Sequence, residues 1–140
     1  FCNLRWYEYK LINRRPPLTL DNKRVWCVHK FINLNKVIEQ SKSFLGKNDL
    51  SAFRSINCQS KSSIRTINTI DIKKIEEEIN FVISAKSFLH SQVRIMVGTL
   101  VDIGLNKISK SVSEIISSKN RGFAGVTAPA HGLYLTKVDY

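Results

Sequence analysis

The sequence predicts an α+β fold in which a mostly antiparallel sheet carries helices packed on one face. Residues 64–75 and 77–86 are neighbouring runs rich in β-branched residues, and apolar residues alternate along the second run, as in a half-buried hairpin. Residues 87–103 are apolar on almost every side at helical spacing, as in a buried helix. Strand and helix patterns mixed in this way, without internal repeats, are typical of the α+β class.

The first half of the chain carries further local signals. A strand is predicted over 6–13, where aromatic and β-branched residues are frequent, and the prolines of 14–17 end it because proline donates nothing to a ladder. A short extended segment is expected at 25–28. An amphipathic helix is predicted over 34–45, with Gly46 as its C-terminal stop.

The second half adds a loop, a helix and a strand. Residues 47–63 are rich in Ser, Asn and basic side chains and predict a loop or a helical turn. After the helix of 87–103, a capping-box pattern at 111–114 predicts a short helix to about Ser118. A last strand is predicted over 132–140. The expected order is strand, helix, hairpin, helix, helix, strand.

The charge of the chain is its most unusual bulk property. Its 140 residues contain 22 Lys and Arg against 11 Asp and Glu, a formal net charge of +11. This excess indicates a polyanionic partner, with RNA or DNA ahead of an anionic membrane surface. A hydrophobic fraction of 43% fits one globular domain with its own core, and the length is short for two.

Other patterns exclude several classes of protein. No apolar run approaches the roughly 18 residues that span a membrane, and no signal peptide is recognisable. The 3 cysteines are widely spaced, which fits free thiols in a reducing cytoplasm better than a disulfide framework or a zinc site. The chain has no Gly-rich phosphate loop, its histidines are scattered, and its Ser and Cys residues lack an evident base partner.

Arg94 stands alone in the middle of the apolar helix. Arginine is rarely buried without an anionic partner, because removing its charge from water costs on the order of several kcal/mol. The positions within helical reach carry no carboxylate, being His90, Ser91, Val97 and Gly98. We therefore expect the partner of Arg94 to come from another segment, a second chain or a ligand. His90 either shares the cleft of Arg94 or is a surface or satisfied core histidine.

Two further groups of residues are candidates for RNA binding. Arg5, Tyr7 and Tyr9 share one face of the first strand, where an aromatic ring stacks on a base while the arginine holds phosphate. The alternative is that both tyrosines are core aromatics with hydroxyls at the rim. Phosphate contacts are also expected from the basic residues of the 47–63 loop and its flanks, namely Lys47, Arg54, Lys61 and Arg65, with help from Arg14 and Arg15.

Several short motifs occur in order along the chain. They are Arg5-x-Tyr7-x-Tyr9, Phe44-Leu45-Gly46-x-x-Asp49-x-Ser51-x-Phe53-Arg54, Cys58-Gln59-Ser60, Ile64-Arg65-Thr66, Ser87-Phe88-Leu89-His90-x-x-Val93-Arg94-x-x-Val97-Gly98-Thr99-Leu100 and Thr127-Ala128-Pro129-x-x-Gly132-Leu133-Tyr134-Leu135-x-x-Val138-x-Tyr140. Each motif alone is unspecific. As an ordered set over essentially the whole chain, they resemble the tRNA pseudouridine synthase A family, and specifically the C-terminal half of that pseudouridine synthase-like fold.

The resemblance implies an isomerase that converts uridines 38–40 of the tRNA anticodon stem-loop to pseudouridine, without cofactor or metal. The glycosidic C–N bond breaks, the uracil turns, and a C–C bond forms to the same ribose. The family's catalytic aspartate lies in an Arg-Thr-Asp-Ala-Gly motif that is absent from this sequence. We therefore expect the chain to be a single C-terminal domain, inactive without an N-terminal domain, and the whole enzyme to be a cytoplasmic homodimer.

The resemblance also assigns roles to individual residues. Arg94 matches the arginine that pairs with the catalytic aspartate, and Tyr7 matches the tyrosine that stacks on the target base and is a candidate for proton transfer. Leu133 matches the apolar residue that lines the uracil pocket. The chain departs from the family's usual His-His-Met-Val-Arg-Asn at Ser91, Gln92 and Ile95, and carries Trp6 and Glu8 where basic residues are common.

Two other functions stay open from the residues alone. A stand-alone basic RNA-binding module without catalysis fits the composition equally well. Such a binding surface has no need of an unpaired arginine in an apolar helix, however, so Arg94 favours the synthase. The third possibility is an assembly domain that contributes only dimer contacts.

Overall fold

The structure, a computed structural model, describes residues 4–14, 25–56 and 60–139. In this part of the chain the strands are β1 (Leu4–Asn13), β2 (Trp26–Val28), β3 (Gly46–Asp49), β4 (Ile64–Ile75), β5 (Glu78–Ala85) and β6 (Leu133–Asp139). The helices are α1 (Leu34–Ser41), α2 (Gln92–Gly104) and α3 (Val112–Ser118), with short 3₁₀ turns at Lys42–Phe44, Ser51–Phe53, Arg121–Phe123 and Ala130–Gly132.

One sheet joins all of these strands. Its order is β2-β1-β5-β4-β3, with β6 also paired to β1. The β1–β2 pair is parallel and the other pairs are antiparallel. Because β5 occupies one edge of β1, β6 and β2 share the other edge, β6 along Leu4–Tyr9 and β2 along Leu11–Asn13. The predicted α+β class with a mostly antiparallel sheet is confirmed.

The core lies between one face of this sheet and the helices. Tyr9, Leu11, Phe81 and Ile83 belong to this face and are fully buried. Every residue of α2 except Arg94 is buried. Since each fully buried large apolar side chain contributes about 1.5–3 kcal/mol, α2 contributes strongly to the stability of the fold.

The start of α2 differs from the prediction. The apolar pattern suggested a helix from Ser87, but α2 begins at Gln92. Ser91 adopts a left-handed conformation with φ of 62°, which no helix can continue through. The Oε1 atom of Gln92 accepts the Leu89 N–H at 2.8 Å, so a side chain closes the turn that precedes the helix. Residues 87–91 are therefore free to form the wall of a cleft.

The segment after α1 also differs from the prediction. The helix pattern over 34–45 was too long, since α1 ends at Ser41 and a 3₁₀ turn follows to Phe44. Gly46, with φ of +87°, ends this region as expected. The predicted loop at 47–63 was wrong at its start, because Gly46–Asp49 forms β3 against Ile64–Ile67. A short polar strand at a sheet edge has no apolar alternation to reveal it.

The remaining elements follow the prediction closely. The β4–β5 hairpin is present, and the capping box of α3 is complete, with the Glu114 N–H donating to Ser111 Oγ at 3.2 Å and the Ser111 N–H to Glu114 Oε1 at 3.1 Å. Cys27 is a free thiol, as expected. Arg15, Tyr140, Cys2 and Cys58 lie outside the described residues. Within the described ranges, no helix has the length and apolar character needed to cross a membrane.

Candidate active site

A cleft of about 250 Å³ opens at the end of the sheet where β1 begins and β5 ends. Arg5 and Tyr7 enter it from β1, Arg94 from α2 and Leu133 from the first position of β6. The turn before α2 supplies most of the remaining wall, formed by Phe88, Leu89, His90, Ser91, Gln92 and Val93. The structure thus places four of the sequence-predicted site residues around one cavity, although they come from distant parts of the chain.

Arg94 is half-buried and is held on one side by the backbone. Its Nε donates to the carbonyl oxygen of Ala128 at 2.8 Å, and the Ala128 N–H donates back to the Arg94 carbonyl at 3.1 Å. Among the described residues, none gives the two terminal nitrogens of Arg94 a hydrogen-bond acceptor or a carboxylate. A guanidinium oriented through Nε, with its terminal N–H groups unpaired, suits a planar carboxylate.

Three carboxylates in the described part of the chain that could have neutralised Arg94 interact with other groups instead. Asp71 lies 3.6 Å from the amine of Lys73, and Glu114 caps α3. Asp102 accepts the Val126 N–H at 3.1 Å. The absence of a pair between Arg94 and any of these acids agrees with the sequence-based expectation.

Segment 124–129 packs on α2 and carries the carbonyl that orients Arg94. The Gly125 N–H donates to Thr99 Oγ1 at 2.9 Å, next to the bond between Val126 and Asp102. The approach is so close that a Cβ atom on Gly98 would lie 1.7 Å from the Val126 carbonyl oxygen. Sequence reasoning did not identify Thr99 or Asp102 as supports of the site. The sequence signal that could have identified them is that these two polar residues lie one turn apart in an otherwise apolar helix.

The two tyrosines of β1 have different environments. Tyr7 is half-buried in the cleft wall, and its ring meets Phe88 edge to face, with centroids 5.2 Å apart. Tyr9 is fully buried, and its hydroxyl donates to the Pro129 carbonyl at 2.6 Å. Burial raises the pKa of Tyr9 far above its usual value, and the positive charge of Arg94 offsets part of that rise. Tyr9 is therefore a neutral core residue, whereas Tyr7 faces the cavity.

The predicted RNA-binding arginines of the loop do not line this cleft. The terminal nitrogens of Arg54 donate to Ser63 Oγ at 2.6 Å and to the Ser60 carbonyl at 2.8 Å. Arg65 donates to the carbonyls of Ser62 and Ile64 and to Ser60 Oγ, at 2.8–3.0 Å. Both arginines therefore brace the turn of residues 60–64. Lys61 and Lys47 are exposed nearby.

His90 is exposed, as the surface interpretation predicts, and it also borders the cleft of Arg94 at its rim. Its carbonyl accepts the Ser55 N–H at 3.1 Å, which ties the rim to the end of a 3₁₀ turn. The described side chains do not bring three or more His, Cys, Asp or Glu together as a metal-binding group.

Comparison with known proteins shows the family of this chain. A sequence model described as tRNA pseudouridine synthase matches residues 41–140. The tRNA pseudouridine synthase A of Anaplasma phagocytophilum (strain HZ) is 53% identical over 137 residues, which are 97% of this chain and 56% of the relative. Proteins of the same name from Neorickettsia sennetsu and Wolbachia pipientis wMel are 51% and 48% identical, with the same two shares covered. The chain spans about half the length of these curated relatives, and it belongs to the tRNA pseudouridine synthase family.

Proposed function

We propose that the chain is the C-terminal half of a tRNA pseudouridine synthase that isomerises uridines 38–40 of the anticodon stem-loop. The observation that carries the proposal is Arg94, a half-buried guanidinium at a cleft with no carboxylate partner among the described residues. Completing the cleft with an aspartate from the preceding part of the longer protein supplies that partner. Relatives named tRNA pseudouridine synthase A, about twice as long as the matched segment, support this arrangement.

The cleft residues have complementary roles in this proposal. Arg94 pairs with the catalytic carboxylate and keeps it ionised, because an adjacent positive charge lowers the pKa of an acid. The Tyr7 ring stacks on the uracil, and Leu133 forms the apolar wall beside it. The target nucleotide must leave its stack to enter the cavity, which costs a few kcal/mol by order of magnitude. Arg5, exposed at the mouth, holds a phosphate of the flipped nucleotide.

The reaction is balanced without a net gain or loss of atoms. The aspartate assists cleavage of the glycosidic C–N bond, the uracil turns in the cleft, and its C5 forms the new bond to the same ribose carbon. The proton lost from C5 is balanced by a proton on the nitrogen that has left the sugar. In this proposal the chain's own residues bind and orient the base, and Tyr7 takes part in the proton transfer.

The partners of the whole protein are part of the same proposal. A net charge of +11 favours a polyanionic substrate, here the tRNA anticodon stem-loop. We also propose that the longer protein acts in the cytoplasm as a homodimer and needs no cofactor or metal.

Tritium release from tRNA labelled at C5 of uridine tests the proposal. The longer protein that contains this chain is expected to release tritium, whereas residues 1–140 alone are expected to match a protein-free control. Release by the isolated chain would mean that its own acids perform the chemistry. No release by the longer protein would leave the stand-alone RNA-binding module as the better account.

A further inference from the structure

A second concavity of about 460 Å³ lies beside the cleft, where β5 leaves the sheet. Its lining consists of Ile64, Arg65, Thr66 and Asn68 of β4 and of Lys86 and Ser87 after β5. We call it the β4–β5 concavity. Lys86 and Ser87 directly precede Phe88, which lines the cleft. One short segment of chain therefore separates the two cavities.

The register of the sheet places both cavities at the same end. Arg5 of the cleft pairs with Ala85, and Ala85 pairs with Ile67 on its other side. Arg5 and Ile67 are therefore two strand spacings apart, which is about 10 Å. This separation is short enough for consecutive nucleotides of one RNA strand to reach both cavities.

A β-bulge directs Asn68 into the concavity. Ile67 pairs with Ala85 and Thr69 pairs with Ser84, so Asn68 has no partner residue on β5. Bulges of this kind redirect a side chain and are frequent beside active sites. Asn68 is exposed and lines the concavity next to Lys86. The bulge thus adds a directional hydrogen-bonding group to the charged wall.

The chemistry of the lining suits a phosphodiester. Its two charged members, Arg65 and Lys86, are both cations, and its polar members are a threonine, an asparagine and a serine. The hydrogen bonds of Arg65 to the 60–64 turn hold its positive charge in a fixed position. Lys86 is exposed and makes no ion pair with a described residue. Lysine, arginine and small hydroxyl or amide side chains are the usual protein partners of nucleic-acid phosphates.

We propose that the β4–β5 concavity binds the RNA backbone phosphates next to the nucleotide held in the cleft. The inference rests on the proposed function and adds a substrate-binding subsite to it. Lys86 supplies an adaptable charge, Arg65 a fixed charge, and Asn68 a hydrogen bond to a phosphate oxygen.

The test uses the longer protein and a fluorescein-labelled anticodon stem-loop RNA, with binding followed by anisotropy over a salt series. Lys86→Ala is expected to raise Kd by about five- to tenfold and to reduce the salt slope by about 0.7–0.9, the value of one phosphate contact. Asn68→Ala is expected to raise Kd about threefold without changing the slope, because it removes an uncharged hydrogen-bond donor.

Lys74→Ala is the matched control. It removes the same charge from an exposed position of β4, which also lines the concavity; Lys74 is seven residues from Ile67 and so about 24 Å away from it. This variant is expected to bind RNA like the wild type. An equal loss in the Lys74 and Lys86 variants would overturn the subsite in favour of general charge attraction, and wild-type binding by Lys86→Ala would overturn it directly.

Tritium release separates this inference from the proposed function. In Lys86→Ala, KM for the RNA is expected to rise with Kd while kcat stays within about twofold, because Lys86 contacts neither the base nor the bond that breaks. An inactive wild-type protein would refute the proposed function, while the anisotropy comparison would still decide whether the concavity binds RNA. A loss of kcat with unchanged KM would overturn the subsite.

Discussion

The cleft and the 60–64 turn use arginine in opposite ways. Arg94 donates a hydrogen bond from Nε to the Ala128 carbonyl. Its terminal nitrogens have no carboxylate partner among the described residues. Arg54 and Arg65 direct their terminal nitrogens to the carbonyls and hydroxyls of Ser60, Ser62, Ser63 and Ile64. Positive charge alone therefore does not mark an arginine whose terminal N–H groups are unpaired. Arg94 can offer these groups to a carboxylate, whereas Arg65 can offer a ligand its fixed charge but has its terminal nitrogens bonded within the turn.

The two regions also differ in what supports them. Arg94 projects from the most buried helix, and the 124–129 segment is attached to that helix through Thr99 and Asp102. The 60–64 turn is largely exposed and depends on the arginine side chains themselves. A side chain on a rigid, buried element loses little conformational entropy when it binds its partner. Such rigidity suits a catalytic site better than a surface that only binds a ligand.

The largest expected effect comes from a substitution that disrupts the packing of the 124–129 segment on α2. Gly98→Ala places a Cβ 1.7 Å from the Val126 carbonyl, so α2 and the 124–129 segment must separate. We expect a loss of about 3 kcal/mol or more in the free energy of unfolding, measured by urea denaturation of the chain. The control is Gly122→Ala, where the nearest atom is the Asn120 Oδ1 at 3.1 Å and the expected loss is below about 1 kcal/mol. Equal costs at both positions would contradict the close packing described.

A smaller effect tests the turn. Arg54→Ala removes the two hydrogen bonds to Ser60 and Ser63, and we expect the free energy of unfolding to fall by about 1–2 kcal/mol. Tritium release by the longer protein, measured well below the unfolding temperature, should stay within about threefold of the wild type. A stable but inactive Arg54→Ala would place Arg54 among the catalytic groups and remove the contrast with Arg94.

The smallest effect concerns Asp49, which pairs with Ile64 at the edge of the same turn. The hydroxyl of Ser51 and, less strongly, its N–H lower the pKa of Asp49 below 3.8. A lowered pKa means that the carboxylate stabilises the fold above the unfolded pKa and loses this effect as the pH falls through the folded value. The Tm of Asp49→Asn should be lower than that of the wild type by about 2–4 °C at pH 7.

That difference in Tm should shrink as the pH falls below the usual range of an aspartate pKa, and vanish once Asp49 of the wild type is protonated. Ser51→Ala provides the control, because it keeps the carboxylate and raises its pKa. A Tm difference that is constant from pH 7 to pH 2 would show that Asp49 acts through packing rather than through its charge.

The sequence predicted the elements whose signal is local. The hairpin alternation and the capping box of α3 have characteristic spacings, so both are where they were expected. The apolar pattern before α2 could not reveal the left-handed Ser91, since that conformation depends on the Gln92 side chain closing the turn. The strand β3 is polar and short, so its pairing with β4 is a tertiary effect.

The residues of the candidate site also divide into those with a local sequence signal and those whose role depends on the tertiary structure. Arg94 could be singled out because a charge in an apolar helix is a local anomaly. Arg54 and Arg65 could not be separated from it by charge, because their hydrogen bonds depend on how the 60–64 turn folds. Asn68 could not be identified from the sequence, because its position depends on the register of β4 against β5 and on a bulge that exists only in the assembled sheet.

The central claim is that Arg94 waits for a carboxylate from outside this chain, and single-turnover tritium release by the longer protein at saturating tRNA tests it most directly. Arg94→Ala should lower the rate by roughly 10²- to 5 × 10³-fold, since leaving one member of a buried ion pair unpaired costs about 3–5 kcal/mol. Arg94→Lys should recover only part of the rate, because lysine keeps the positive charge but cannot donate two parallel hydrogen bonds to a carboxylate as a guanidinium does. Residues 1–140 carrying either substitution should unfold within about 5 °C of the wild type, because only the Nε hydrogen bond to the Ala128 carbonyl is lost and no carboxylate of the described chain is left unpaired. A wild-type rate in Arg94→Ala would contradict the claim.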